Sequence, residues 1–287
     1  MKFRSEIILP QYPFSLNPQD KIMLIGSCFT THIGQFLSEA GFETCINPFG
    51  TLFNPHSIAQ DLNFAIAPQH YDDRYIYQHE NHFVSFAHNT FFNRKKHADF
   101  LKNIENQLNN THHFLKQAQY LFITFGTAFC YKFIERDLIV ANCHKIPNQR
   151  FEKLRLSVDE IVAFFNSFFE WRQRENRALK VIFTVSPVRH LNDGFHKNTL
   201  SKSILHLAIE QLMKHEQVYY FPAYEILNDD LRDYRYYTLD LCHPSDVAIQ
   251  YIRECVAQAF FSPKTQQWAA ANRKALLAER HLSLTKE

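Results

Sequence analysis

Apolar residues alternate along the chain between two patterns. Short continuous runs at residues 21–25 (KIMLI), 42–46, 120–125 (YLFITF), 180–185 (KVIFTV) and 218–221 predict buried strands. Between and after them, residues 30–40, 99–117, 157–174, 200–215 and 245–260 repeat apolar side chains at helical spacing. Unbroken apolar strands alternating with amphipathic helices predict an α/β protein. The expected architecture is a three-layer α/β/α with a mostly parallel five-stranded sheet covered on both faces. Residues 67–98, rich in His, Tyr, Phe and Asn, fit this scheme poorly and read as an inserted subregion or a lid. The expected organisation is one domain over residues 1–262, followed by a polar, helix-prone tail at 263–287 that packs on the surface or serves self-association.

Composition narrows the class. With 287 residues, 46% hydrophobic and 21% charged, the chain can bury a substantial core and is not disordered. A formal net charge of +2 gives no electrostatic footprint for nucleic acid or for a polybasic membrane contact. No apolar run approaches the roughly 18 residues that span a bilayer. Residues 1–10 carry Lys2, Arg4 and Glu6 and no apolar stretch of secretory-signal length, so the cytoplasm is the expected location. The six cysteines include no CxxC pair, which points to reduced thiols, and no metal-ligand spacing such as HExxH occurs. Neither metal nor cofactor is expected.

Glycine is scarce: six residues where average usage predicts roughly 20. Gly26, Gly50 and Gly126 follow predicted strands directly or within a few residues, and Gly194 lies a little beyond another. In an open parallel sheet, ligands bind outside the carboxyl ends of the strands, so these positions point to one edge. Turns favour glycine in any case, which is the plainer explanation. The first turn, Gly26-Ser27-Cys28-Phe29, matches neither a dinucleotide fingerprint nor a P-loop. It does set two nucleophiles, Ser27 and Cys28, at a helix N-terminus, where the dipole favours an anion and a thiolate. Spacing from the strand end favours Cys28 over Ser27.

A second chemical signal is Asp240-Leu241-Cys242-His243-Pro244. An Asp three residues before a His can reach the imidazole and fix its tautomer, and Pro244 fits the first turn of the next helix. Arg189 and His190, after the fourth strand, can bind a substrate carboxylate or phosphate; the plainer reading of the arginine is a salt bridge in a turn.

Together these segments resemble the GSCFA family, whose motif stands here as Gly26-Ser27-Cys28-Phe29-Thr30, with Thr in place of the usual Ala. The resemblance runs through Asn47-Pro48-Phe49-Gly50, through 184–191 (TVSPVRHL) and through Asp240-Leu241-Cys242-His243-Pro244, about residues 22–257 in all. GSCFA proteins are in turn similar to SGNH (GDSL-type) hydrolases. That resemblance implies a flavodoxin-like sheet, a nucleophile after the first strand and an Asp-x-x-His pair near the C-terminal end. Cys28 then takes the nucleophile's place and Ser27 the preceding aspartate's, with His243 as general base and Asp240 as its orienting partner. Gly50 looks like the oxyanion-hole glycine, Gly126-Thr127 like the third block, and Asn47 falls with the substrate-binding residues beside Arg189 and His190. One departure stands out: Ala128 occupies the position of the asparagine that donates to the oxyanion.

Two functions follow from the resemblance. The first is a hydrolase or acyltransferase acting on an ester-linked acyl group, a small ester or an O-acylated carbohydrate, through a Cys/Ser-His-Asp site. The second is a catalytically inactive SGNH-like module that binds a small molecule or carbohydrate, for which Ala128 is the main support.

Overall fold

The computed structural model describes the backbone of residues 4–284 and the side chains of residues 4–279. Residues 1–3 and 285–287, part of the opening segment and of the tail considered above, lie outside that range.

The chain runs β1 (Lys21–Gly26), α1 (Cys28–Glu39), β2 (Glu43–Ile46), α2 (Pro55–Ile66), β3 (Ile76–His79), β4 (His82–Ser85) and α3 (His97–Gln117). Next come β5 (Tyr120–Phe125), β6 (Phe129–Phe133), β7 (Leu138–Val140), β8 (Phe151–Arg155), α4 (Val158–Phe164) and α5 (Asn166–Glu175). The last third holds β9 (Lys180–Val185), α6 (Phe195–Leu212), β10 (Val218–Tyr220), α7 (Ala223–Glu225), α8 (Asp246–Phe260) and α9 (Pro263–Leu284).

Five strands form one sheet in the order β2-β1-β5-β9-β10, every pair parallel. Numbered along the chain this is the 2-1-3-4-5 order of doubly wound flavodoxin-like sheets, in which crossovers go to both faces. The apolar runs are continuous because successive strand residues are buried on opposite sides. Met23, Ile25, Leu121, Ile123, Val181 and Phe183 pack in a core with α2 to α6. Their neighbours Ile22, Leu24, Tyr120, Phe122 and Ile182 pack with α1, α8 and α9. Three layers result, α/β/α.

The five sheet strands lie within two residues of their predicted bounds, but four features depart from the sequence reading. Residues 157–174 do not form one helix: Phe165, fully buried, ends α4 and begins α5. Helix α2 was not foreseen, nor was the antiparallel sheet β7-β6-β8 inserted after β5. Pro244 does not lie in the first turn of α8, because Ser245 is the N-cap and its hydroxyl accepts from Ala248 N–H. The 67–98 stretch carries the β3–β4 hairpin and sends Tyr75, Phe86 and Phe92 into the main core.

Tail helix α9 lies against α1. Trp268 meets Phe42 edge-on at 5.0 Å between ring centres, and Asn272 Nδ2 donates to Ala40 O at 2.9 Å. No described helix is long and apolar enough to cross a membrane.

Candidate functional site

The carboxyl end of β1 passes directly into the site. Gly26 has φ +143°, and a Cβ there would lie 2.3 Å from Thr124 O of β5, so only glycine lets the two strands close at this point. Ser27 follows as the N-cap of α1 and Cys28 as its first residue. The Ser27 side chain is shut in: the residue is 1% exposed and its hydroxyl has no hydrogen-bond partner. Cys28 instead lines a cavity of about 600 Å³. Burial pushes the Cys28 thiol up, while the Phe29 and Cys28 N–H groups of the first helical turn and the charge of Lys202 work in the opposite direction.

The loop before α8 supplies another part of the wall. His243 and Asp240 line the same cavity, and His243 Nδ1 lies 2.6 Å from Asp240 Oδ2. The other carboxylate oxygen accepts from Thr238 Oγ1 at 2.6 Å, Cys242 N–H at 2.8 Å and His243 N–H at 3.0 Å. Thr238 first, then the two amides and the ring, hold the Asp240 carboxyl far below the usual carboxylate range. Leu241 takes a left-handed φ of +57° to turn the chain between them, a conformation a leucine adopts at some cost. Side-chain exposures of 51% and 50% leave the His243–Asp240 pair open to a substrate. An Arg189 N–H bond to Cys242 O at 3.1 Å ties this loop to the end of β9.

Arg189 and His190 also line the cavity. The Arg189 guanidinium sits 4.3 Å from the centre of the Tyr237 ring. Burial holds the His190 imidazole neutral, down to about 4, and the charges of Lys202 and His243 add to that effect. Phe129, Tyr131 and Lys153 of β6 and β8 form a further wall. The Lys153 ammonium lies over both aromatic rings at 5.1 and 5.4 Å and pairs with Asp193.

Three residues expected at the oxyanion, and one expected at the substrate, have other engagements. Gly50 does not line the cavity; its N–H donates to Asn47 O at 2.8 Å. The N–H groups of Gly126 and Thr127 both donate to Phe53 O, at 2.8 and 2.9 Å. Of these two, Thr127 lines the cavity, and its hydroxyl lies 3.1 Å from Ser201 Oγ and accepts from Phe129 N–H at 3.1 Å. Asn47 is a brace: in a left-handed turn (φ +44°), its Oδ1 accepts from Gly26 N–H and its Nδ2 donates to Thr31 Oγ1. The main-chain amides assigned from the blocks are therefore satisfied within the scaffold.

Two further residues that the sequence reading passed over lie on the cavity wall or beneath the strand ends. Asn54, the N-cap of α2, lines the cavity; its Oδ1 accepts from Ser57 N–H at 2.9 Å, which fixes the amide so that Nδ2 is left without a protein acceptor. Asn54-Pro55 ahead of an apolar periodic stretch is the sequence signal for such a cap. Lys202, 2% exposed, lies beneath the strand ends. It falls on one helical stripe with Leu205, Ile209 and Leu212, which marks it as an inward position. Among the described residues, no three His, Cys, Asp or Glu side chains are grouped to hold a metal.

Two solved structures show a distant likeness to this chain. One is an acetyl esterase variant with an acetate ion, 12% identical, with a TM-score of 0.40, covering 88% of this chain and 99% of that one. The other is a carbohydrate esterase family 3 protein from Talaromyces cellulolyticus, 10% identical, with a TM-score of 0.39 and the same coverage. No curated protein matches. The model of the GSCFA family matches residues 21–256, which takes in β1, the Cys28 turn and the Asp240–His243 loop, and the chain belongs to that family.

Proposed function

We propose that the protein is an ester-directed acyl-transferring enzyme, a hydrolase or an acyltransferase, with Cys28 as nucleophile, His243 as base and Asp240 as the group that orients it. The observation that carries this reading is that Cys28 and the hydrogen-bonded His243–Asp240 pair line one cavity, while the Ser27 hydroxyl is enclosed. In the first step Cys28 Sγ attacks the ester carbonyl carbon, its proton passes to His243, and the carbonyl π electrons move onto oxygen. Collapse expels the alcohol, which takes the proton from His243 and leaves a thioester on Cys28. Water, or the hydroxyl of an acceptor, then attacks the thioester with His243 again as base, and the thiol is restored.

The oxyanion needs donors that are not already spent. The Cys28 and Phe29 N–H groups lie at the sulfur in the first turn of α1, and Asn54 Nδ2 is a side-chain donor on the cavity wall with no protein acceptor. Asn54 thus stands in for the donor absent at Ala128. Asn54→Asp keeps the cap and loses the amide donor, so kcat falls about 10²–10³-fold with little change in melting temperature. Asn54→Ala shows the same kinetic loss and in addition costs about 1 kcal/mol of stability. Unchanged kcat in Asn54→Asp removes this residue from the oxyanion site. The aromatic wall of Phe129 and Tyr131 suits a small acyl group or the apolar face of a sugar ring.

Incubation with an activated ester such as p-nitrophenyl acetate, followed by peptide mass analysis, tests the function itself. One acyl adduct is expected, on Cys28, forming faster in the wild type than in His243→Ala. The alternative, ligand binding without turnover, draws on the engaged amides of Gly50, Gly126 and Thr127. It predicts no adduct and ligand binding that survives His243→Ala.

A further inference from the structure

A lysine is buried beneath the strand ends, with no carboxylate in hydrogen-bond reach of its ammonium. Lys202 Nζ donates to Gly126 O and to Ser186 O, both at 2.7 Å, the carbonyls just beyond the ends of β5 and β9. Gly126 in turn adjoins the nucleophile turn, since a Cβ on it would lie 3.4 Å from Ser27 Cβ. Ser201, one residue earlier, accepts from Ala128 N–H at 2.7 Å, so the start of α6 grips the loop after β5 at two points. A buried ammonium held only by neutral carbonyls is costly, and a negative charge forming nearby offsets that cost.

The groups that face it from the surrounding elements are few. Cys28 of α1 raises the affinity of Lys202 for its proton, the one electrostatic effect set against burial, which pulls the lysine down to about 7. The Tyr224 ring of α7 lies 5.9 Å away. His190, after β9, is held neutral and carries no charge to compete. His243 faces the cavity, paired with Asp240.

Resting on the reading of Cys28 as nucleophile, we infer that Lys202 is a positioning residue that supplies the counter-charge to the Cys28 thiolate from within the fold. When His243 takes the thiol proton, the resulting S⁻ has the N-terminal amides of α1 beside it, and the Lys202 ammonium, held on the loop that adjoins the Ser27-Cys28 turn, opposes its charge. No proton leaves the lysine in this step. The geometry assigns the same residue the task of holding the two strand-end loops together, so the charge and the scaffold role must be told apart.

Lys202→Gln does so, because a glutamine amide can still donate to both carbonyls but carries no charge; Lys202→Met removes donors and charge together. The rate of Cys28 carboxamidomethylation by iodoacetamide, read by peptide mass against pH, needs no ester substrate. It therefore stands or falls separately from ester turnover. In both variants the pH profile is expected to move up by about one unit, with about tenfold slower alkylation at neutral pH. A Lys202→Gln profile that coincides with wild type overturns the proposal, and so does a shift confined to Lys202→Met, which would mark a purely structural lysine.

Discussion

Cys28→Ala is expected to lower steady-state turnover of a small activated ester by more than about a thousandfold, to the level of His243→Ala. Under the proposed mechanism the two side chains act as one unit, so Cys28→Ala/His243→Ala should be no worse than either single variant. Cys28→Ser is informative in a different way. A serine hydroxyl is a far weaker nucleophile until its proton is taken and gains little from the helix N-terminus, so activity should fall by at least about a hundredfold. If Cys28→Ser matched the wild type, or if Ser27→Ala alone removed activity, the attacking atom would be a hydroxyl. Asp240→Asn keeps the size of the side chain but withdraws the charge beside His243 Nδ1. Its effect should fall on kcat with KM little changed, because Asp240 acts through the imidazole.

The largest expected effect on stability lies away from the cavity. Asp61 of α2 is fully buried and neither carboxylate oxygen has a hydrogen-bond partner. His88 Nε2 lies 3.9 Å away and is equally buried, and burial holds that imidazole neutral, down to about 3. With no positive charge to compensate, burial raises the Asp61 carboxyl well above its ordinary value. The folded state therefore keeps this proton over a range of pH in which the unfolded chain releases it. Stability that is fully present below about pH 4 is then lost as the pH rises, at up to about 1.4 kcal/mol per unit. Asp61→Asn has no proton to lose. Its stability should match the wild type near pH 4 and exceed it by a margin that grows as the pH rises toward 7, read by urea denaturation at each pH. A variant less stable than the wild type at pH 7 would show instead that Asp61 is ionised and paired with a protonated His88.

What could be read along the chain follows from the range of the forces involved. β1, β5 and β9 are legible because both faces of each strand are covered, which demands unbroken apolar runs whatever the rest of the fold does. The turn at Gly26 and the Asp240–His243 pair are legible for a related reason. A positive φ and a carboxylate reaching an imidazole three residues on are local events, fixed within a few residues of chain. The β6–β8 sheet escaped because its strands are three to five residues long and mix buried, half-buried and exposed positions, too short for a period to emerge. The break at Phe165 escaped because the apolar stripe continues across it, and only packing decides that the helix ends there.

The candidate site divides along the same line. By itself the sequence determined the order of the five sheet strands, the place of Ser27 and Cys28 at a helix start, and the Asp–His pair, because neighbours in the chain are neighbours in space. Only the tertiary structure decided that Cys28 and not Ser27 reaches the cavity. It alone spent the amides of Gly50, Gly126 and Thr127 inside the scaffold, left Asn54 Nδ2 free, and buried Lys202 under the strand ends. Each of these depends on hydrogen bonds that close between segments distant in sequence, and a donor's availability is settled only when every competing acceptor has taken its place.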